Sequence, residues 1–243
     1  MNHVTAAAPL SRQDVDALAE EFEGRPAQDL LAWAAERFDG RIVLTCSWQR
    51  QSSVLVDMLH RLGAEVRIVE LDTGLLFPET YATRDRLVER YGIEVERIEP
   101  LRTVEEQADD EGPALWTRDP DRCCALRKVE PLRRALSGMD AWITGIRRAQ
   151  AATRAGARKL ELDAARGVVK VQPLADWSDE EVIGYLLAHD VPYNPLHDQG
   201  YPSIGCMPCT RAVRPGEDPR AGRWADSGKT ECGLHLPAPA HAG

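Results

Sequence analysis

Cys123 and Cys124 in DRCCALRK, Cys206 and Cys209 in GCMPCTR, and Cys232 in KTECGLH set two cysteine pairs and one outlier among the six cysteines of the chain. Four thiols suffice to hold a metal centre, and Cys206-x-x-Cys209 has the local spacing of zinc ribbons, rubredoxin-like sites and iron–sulfur centres. Cys123 and Cys124 are adjacent. Neighbouring helix residues diverge by about 100°, so binding both to one small tetrahedral ion is awkward, whereas a multi-iron cubane offers separated attachment points. A zinc site and buried, unligated thiols are the competing readings. Cys46, on an apolar strand, reads as a core residue.

Cys232 has no partner at ligand spacing. It is flanked by Lys229 and His235, and a cation beside a thiol favours the thiolate, which is the attacking form. Arg211, Arg214, Arg220 and Arg223 precede it in the same tail. The planar guanidinium fork suits oxyanions such as phosphate or sulfate. Such a tail could close over an anionic substrate and present sulfur to it, although a spare cysteine on a tail is the plainer alternative.

The whole chain bounds these readings. Its 243 residues, 43% of them apolar, allow one full domain with a small appendage. No apolar run approaches the ~20 residues needed to span a bilayer. The N-terminus MNHVTAAAPLSRQD lacks the pattern of a secretory signal. The expectation is therefore a cytoplasmic protein, with no membrane partner and with cysteines serving as metal ligands or redox groups rather than disulfides. The net charge of −9 argues against a general nucleic-acid binder. Residues 118–170 nevertheless hold 13 Lys and Arg against 6 Asp and Glu, which fits a focused site for a small anion.

The elements that must position these groups alternate. Residues 11–37 read as helix broken near Gly24-Arg25-Pro26. Strands are expected at 41–47, 65–74, 93–100, 141–146 and 168–173. Helices are expected at 54–62, from Pro78, at 122–137 and at 178–189. Beyond 200 the pattern reads as a long loop and tail. This is an α/β fold with a mainly parallel sheet and helices on both faces, where ligands bind beyond the carboxyl ends of the strands. The segmentation is 1–37 as an N-terminal helical segment, 38–210 as the α/β domain with the cysteine site, and 211–243 as a flexible C-terminal tail. Polar clusters fall at the carboxyl ends: TCSWQRQSS, with Ser47, Ser52 and Ser53; LDTG, with Asp72 and Thr73; and GIRRAQ, with Arg147 and Arg148. The first of these could hold an anion at a helix N-terminus, but it is not a GxxxxGKS/T loop, and ordinary helix capping explains its hydroxyls equally well.

DRCCALRKVEPL, WITGIRRAQAATRA, the run from VQPLADWSDEEV through GYPSIGCMPCTRAVRPGEDPRAGRW, and the terminal KTECGLH together resemble the assimilatory adenylyl-sulfate reductases. LDTGLLFPETY resembles the nucleotide-binding region of the same family, and the likeness runs from about residue 38 onward. It implies an adenine-nucleotide α-hydrolase-like fold and a 4Fe-4S cluster on Cys123, Cys124, Cys206 and Cys209. It also implies that Cys232 attacks adenosine 5′-phosphosulfate, expels AMP and becomes S-sulfocysteine, and that thioredoxin or a similar dithiol then releases sulfite. Lys128, Arg147 and Arg148 would offset the charge of that step, and Arg220, Arg223 and His235 match tail positions that contact substrate in the family. The first loop departs from the family's SxSG-type loop, lacking its glycine and acidic residues. Both cysteine pairs favour the substrate without a 3′-phosphate. The rival readings are an ATP-dependent adenylating enzyme, which would need an SGGxDS-like loop, and a redox-sensing iron–sulfur regulator, which would leave Cys232 unexplained.

Overall fold

The computed structural model describes residues 8–225 and 227–235. Helix α1 (Arg12–Glu23) opens on a capping box: Ser11 Oγ accepts from the Asp14 N–H, and the Asp14 carboxylate accepts from the Ser11 N–H. After the break at Gly24-Arg25-Pro26 comes α2 (Ala27–Arg37). The chain then alternates through β1 (Ile42–Cys46), α3 (Arg50–Leu62), β2 (Arg67–Leu71), α4 (Pro78–Tyr91) and β3 (Val95–Ile98). Helices α5 (Val104–Glu111), α6 (Leu115–Arg118) and α7 (Pro120–Cys124) follow. A π turn over Ala125–Val129, closed by the Glu130 N–H donating to the Ala125 carbonyl, joins α7 to α8 (Glu130–Ala135). Strands β4 (Ala141–Ile143), β5 (Leu160–Asp163) and β6 (Val168–Val171) and helix α9 (Asp179–Ala188) complete the regular structure.

The sheet order is β3-β2-β1-β4-β6-β5, with β5 alone antiparallel. Alternation along β1 sends side chains to both faces. Ile42, Leu44 and Cys46 join a core that also takes Val15 and Phe22 of α1, Leu55 of α3 and Leu186 of α9. Val43 joins Leu132, Ala135 and Trp142 on the other side. The N-terminal segment is thus part of the main core, while its residues 1–7 lie outside the described chain. The sequence-expected helix at 122–137 starts two residues earlier and carries the π turn. Strand β5, between β4 and β6, and helix α5 were not among the expected elements.

Strand order reverses at β1, which has β2 on one side and β4 on the other. A doubly wound sheet opens a crevice at such a switch point, beyond the carboxyl ends of the strands. Gly145, after β4, packs so closely on the first turn of α3 that a Cβ there would lie 2.8 Å from Gln51 Cβ. This contact brings the two loops together at the crevice.

Candidate active site

The crevice is a cavity of about 310 Å³ whose wall includes Ser47, Ser52, Thr73, Gly145, Lys128 and Cys232. On its β1 side the loop TCSWQRQSS folds back on α3: Ser52 Oγ accepts from the Ser47 N–H at 3.1 Å. Trp48, fully buried, adopts a left-handed φ of 55° and donates its indole N–H to Glu70. Such a conformation costs a non-glycine residue about 1–3 kcal/mol and persists only where the surroundings over-determine it. The side-chain carbonyl of Gln49 accepts from the Ile204 N–H at 2.8 Å, tying this loop to the Cys206 segment.

Behind the cavity lies a small cleft bordered by Cys123, Cys124, Cys206 and Cys209, and Lys128, Arg223 and Trp224 border both spaces. Two chain segments supply the thiols, one from each pair, and backbone contacts fix them. The Met207 N–H donates to the Leu75 carbonyl at 2.7 Å, and Thr73 Oγ1 lies 3.3 Å from Cys206 Sγ. Arg127, 3% exposed, donates from Nε to the Thr73 carbonyl at 2.5 Å and from a terminal nitrogen to Gln107 at 3.1 Å. Burial pushes the thiols up, Cys124 to about 12 and Cys209 to about 11, with Cys123 moved the same way. As bare thiols these groups stay protonated at neutral pH, and a bound metal would displace the protons. Among the described residues no three His, Cys, Asp or Glu side chains converge on one ion position. Four sulfur donors with flanking cations suit a group larger than a single ion.

The tail closes the cavity from the other side. Lys229 Nζ pairs with Asp121 on α7 and lies 5.5 Å from the Trp224 ring centroid. His235 stacks on Trp142 of β4, centroids 5.2 Å apart and planes at 10°. Burial, then the cations Lys170, Arg154, Arg166 and Arg220, hold His235 well below the usual imidazole range. It is neutral at neutral pH, and Lys229, the other flank that the sequence suggested, is committed to Asp121; the cations that act on the Cys232 sulfur are Lys128 and Arg220. Between them Glu231, 8% exposed, accepts from Arg154 Nε at 2.9 Å and Nη2 at 2.8 Å, from Thr153 Oγ1 at 3.1 Å and from Arg220 at 3.2 Å. Asp226 and residues 236–243 of the tail lie outside the described chain.

Lys128, Arg147, Arg220, Arg223 and His235 line the cavity, as do Ser47, Ser52 and Thr73. Burial works against the charge of Lys128, but negative charge on the sulfurs of Cys206 and Cys232 outweighs it and raises its pKa. Arg147, 2% exposed, pairs with Asp179 at the start of α9. Two sequence expectations need correction. Arg148 turns away from the cavity, donating to the Ala157 carbonyl at 2.7 Å and pairing with Glu23 of α1, because the backbone passes from extended at Arg147 into a 3-10 turn that begins at Arg148. Asp72 points into the β2 turn, where it accepts from the Gly74 N–H at 2.9 Å and the Tyr81 hydroxyl at 2.7 Å; it shapes the turn rather than facing the cavity. Arg127, Arg154 and Glu231 were missed. Only Arg127 had a local signal, its place in CCALRK.

The cavity wall carries six cations, Arg50, Lys128, Arg147, Arg154, Arg220 and Arg223, against two carboxylates, Asp179 and Glu231. In a chain of net charge −9 this is a concentrated anion site. A switch-point crevice of this kind, on a mostly parallel sheet with helices on both faces, defines a doubly wound α/β protein that binds its ligand at the carboxyl ends of the strands. The solved Candida auris phosphoadenylyl-sulfate (PAPS) reductase, as a phosphate complex, is similar at 30% identity and a TM-score of 0.75, covering 85% of this chain and 100% of that one. Candida glabrata FMN adenylyltransferase with FMN and the ATP analogue AMPCPP shares the fold alone, at 14% identity and a TM-score of 0.55 over 85% of this chain and 70% of that one. The family model described as the phosphoadenosine phosphosulfate reductase domain matches residues 41–212. The adenosine 5′-phosphosulfate reductase of Rhodococcus erythropolis is 48% identical over 225 residues, 89% of this chain and 91% of that one. That of Mycolicibacterium smegmatis is 47% identical over 218 residues, 90% and 92% of the two chains. The chain belongs to the phosphoadenosine phosphosulfate reductase family.

Proposed function

We propose that this protein reduces adenosine 5′-phosphosulfate to sulfite and AMP in assimilatory sulfate reduction, with Cys232 as nucleophile and thioredoxin or a similar dithiol as reductant, in the cytoplasm. The observation that carries the reading is the position of Cys232 on the wall of a cation-lined switch-point cavity that the hydroxyls of the first loop also line. The relatives named above support the choice of substrate.

The Cys232 thiolate attacks the sulfate sulfur, an S–S bond forms, and the sulfur–oxygen bond to the phosphate breaks. AMP leaves with the electron pair. An anion attacking an anionic group needs fixed positive charge at the oxygens where charge develops, and Lys128, Arg220 and Arg223 supply it from the cavity wall. A dithiol thiolate then attacks Cys232 Sγ, sulfite departs with the S–S electron pair, and the second thiol closes a disulfide and frees Cys232. Sulfur goes from the sulfate to the sulfite level as two thiols become one disulfide.

Cys123, Cys124, Cys206 and Cys209 would hold the 4Fe-4S cluster, with Arg127 and Lys128 offsetting its thiolates. The cluster, when bound, supplies a rigid anchor and a local field; the thiols carry both electrons. The test is to mix anaerobically purified protein with adenosine 5′-phosphosulfate, without reductant, and map adducts by peptide mass spectrometry. One sulfonate on the Cys232 peptide, discharged as sulfite by thioredoxin, is expected. No adduct on iron-replete protein would overturn the reading.

A further inference from the structure

Glu231 has no part in the sulfur chemistry above, yet it stands on the wall of the same cavity, one residue before Cys232. Its side chain is 7% exposed, beside Arg154 at 13% and Arg220 at 15%. Arg154 grips it side-on through Nε and Nη2, and its remaining terminal nitrogen donates to Gln150 at 2.6 Å. All three nitrogens of Arg154 therefore donate within the chain. Arg220 gives one terminal nitrogen both to Glu231 and to the Thr230 carbonyl, at 3.2 and 2.8 Å.

A two-arginine cradle fits a tetrahedral oxyanion through paired N–H donors. Here the cradle is filled by a carboxylate carried on the chain itself. A fixed negative charge inside an anion cavity opposes any anionic ligand that enters beside it. It is useful there only as an occupant that yields. Resting on the reading of the cavity as a site for a phosphosulfate, we infer that Glu231 is a displaceable stand-in for a ligand oxyanion, holding the tail against Arg154 and Arg220 until a sulfate or phosphate group takes its place on them. Exchange replaces one anion with another on the same guanidinium groups, so the cradle is neutralised in both states. Because Glu231 and Cys232 are neighbours, the exchange also resets the thiol, with Lys229 on Asp121 and His235 on Trp142 still fastening the tail to either side.

The test is calorimetric titration of the iron-replete full chain with AMP and, separately, with inorganic sulfate. Glu231→Gln keeps the shape and removes the charge. It is expected to bind one or both probes about tenfold more tightly than wild type, the scale of a charge-assisted hydrogen-bond set. Tightening toward sulfate alone places the sulfate half in the cradle, and tightening toward AMP places the phosphate. Thr153→Val, which removes a neutral donor to Glu231 from outside the cavity wall, should tighten binding about two- to threefold. A tail that Glu231 merely props in place would lose affinity on either change. Equal or weaker binding of both probes in both variants overturns the inference while leaving the reductase reading intact. Wild-type protein that binds neither probe and forms no sulfonate overturns both.

Discussion

Replacing Lys128 with alanine removes the one ammonium, among the described residues, that borders both the cavity and the cysteine cleft. Negative charge on the sulfurs of Cys206 and Cys232 favours its charged form despite burial, so the lost group is a full cation. Two unit charges about 5 Å apart in an effective dielectric of about 20 interact by about 3 kcal/mol. Removal of one oxyanion donor from other enzymes costs about 2.7–4 kcal/mol. At 1.36 kcal/mol per tenfold in rate, either figure puts the loss at about 100-fold or more in the rate of Cys232 sulfonation at saturating substrate. Arg220 and Arg223 remain on the wall, which holds the expected loss near the lower end. Single-turnover quench of the sulfonated Cys232 peptide measures this step apart from reduction by thioredoxin, whose apparent affinity should hold within about twofold of wild type. Lys128→Arg should recover part of the rate, since charge returns with a different donor geometry. An iron-replete Lys128→Ala protein sulfonated within threefold of the wild-type rate would remove Lys128 from the chemistry.

Cys206→Ser should lose iron and turnover together, whereas Cys232→Ser should keep the visible absorbance and lose all turnover; an iron-replete Cys206 variant would refute its assignment as a ligand. Gly205→Ala sets a Cβ 2.2 Å from an Arg223 guanidinium nitrogen, so it should move Arg223 off Ser203, raise the substrate KM and cost about 1–3 kcal/mol on thermal unfolding; unchanged KM would contradict that placement. Burial, reinforced by Arg50, lowers the pKa of His197 to about 4. The unfolded chain therefore takes up this proton first as pH falls, and about 3 kcal/mol of stability, present above about pH 6.5, drains away toward pH 4. Unfolding followed across that window should slope less in His197→Gln, and equal slopes would refute the assignment. Arg148→Ala should stay within about twofold of wild-type activity and cost at most about 1 kcal/mol, as expected of a partly exposed surface pair; a large loss of activity would return Arg148 to the site.

The central strands could be read from the sequence because each is a short apolar run with a polar cluster at its carboxyl end, as in RIVLTCS and AWITGI. Strand β5 was not legible: LELD alternates only once and follows Arg158-Lys159, whose positive charges read as loop. Lys159 is in fact 1% exposed and paired with Asp176, a compensation that only the tertiary structure supplies. Helix α5 had a readable start, since Thr103 and Glu106 form a capping box, but VEEQADDE has almost no apolar stripe. The cysteines were legible because their residue type carries the chemistry. The Glu231–Arg154 pair was not, because its members lie 77 residues apart and neither stands in a pattern. Arg147 and Arg148 show the limit of reading by position, since adjacent arginines at the right sheet edge face opposite ways.

The π turn at Ala125–Val129 gives the residues between Cys124 and Glu130 a phase of their own. An α-helix would carry the thiols and Lys128 at a four-residue repeat; the wider i→i+5 turn shifts everything after Cys124 relative to everything before it. The Cys123 and Cys124 thiols and the Lys128 cation on the cavity wall are thus written in two different frames on one helix. The length of the segment works as a spacer, independent of its residue types. Deleting Ala125 would preserve every chemical group of the site and still dissociate the thiol frame from the cation frame. A pattern that records CC followed by RK without counting the residues between them would accept that protein as intact.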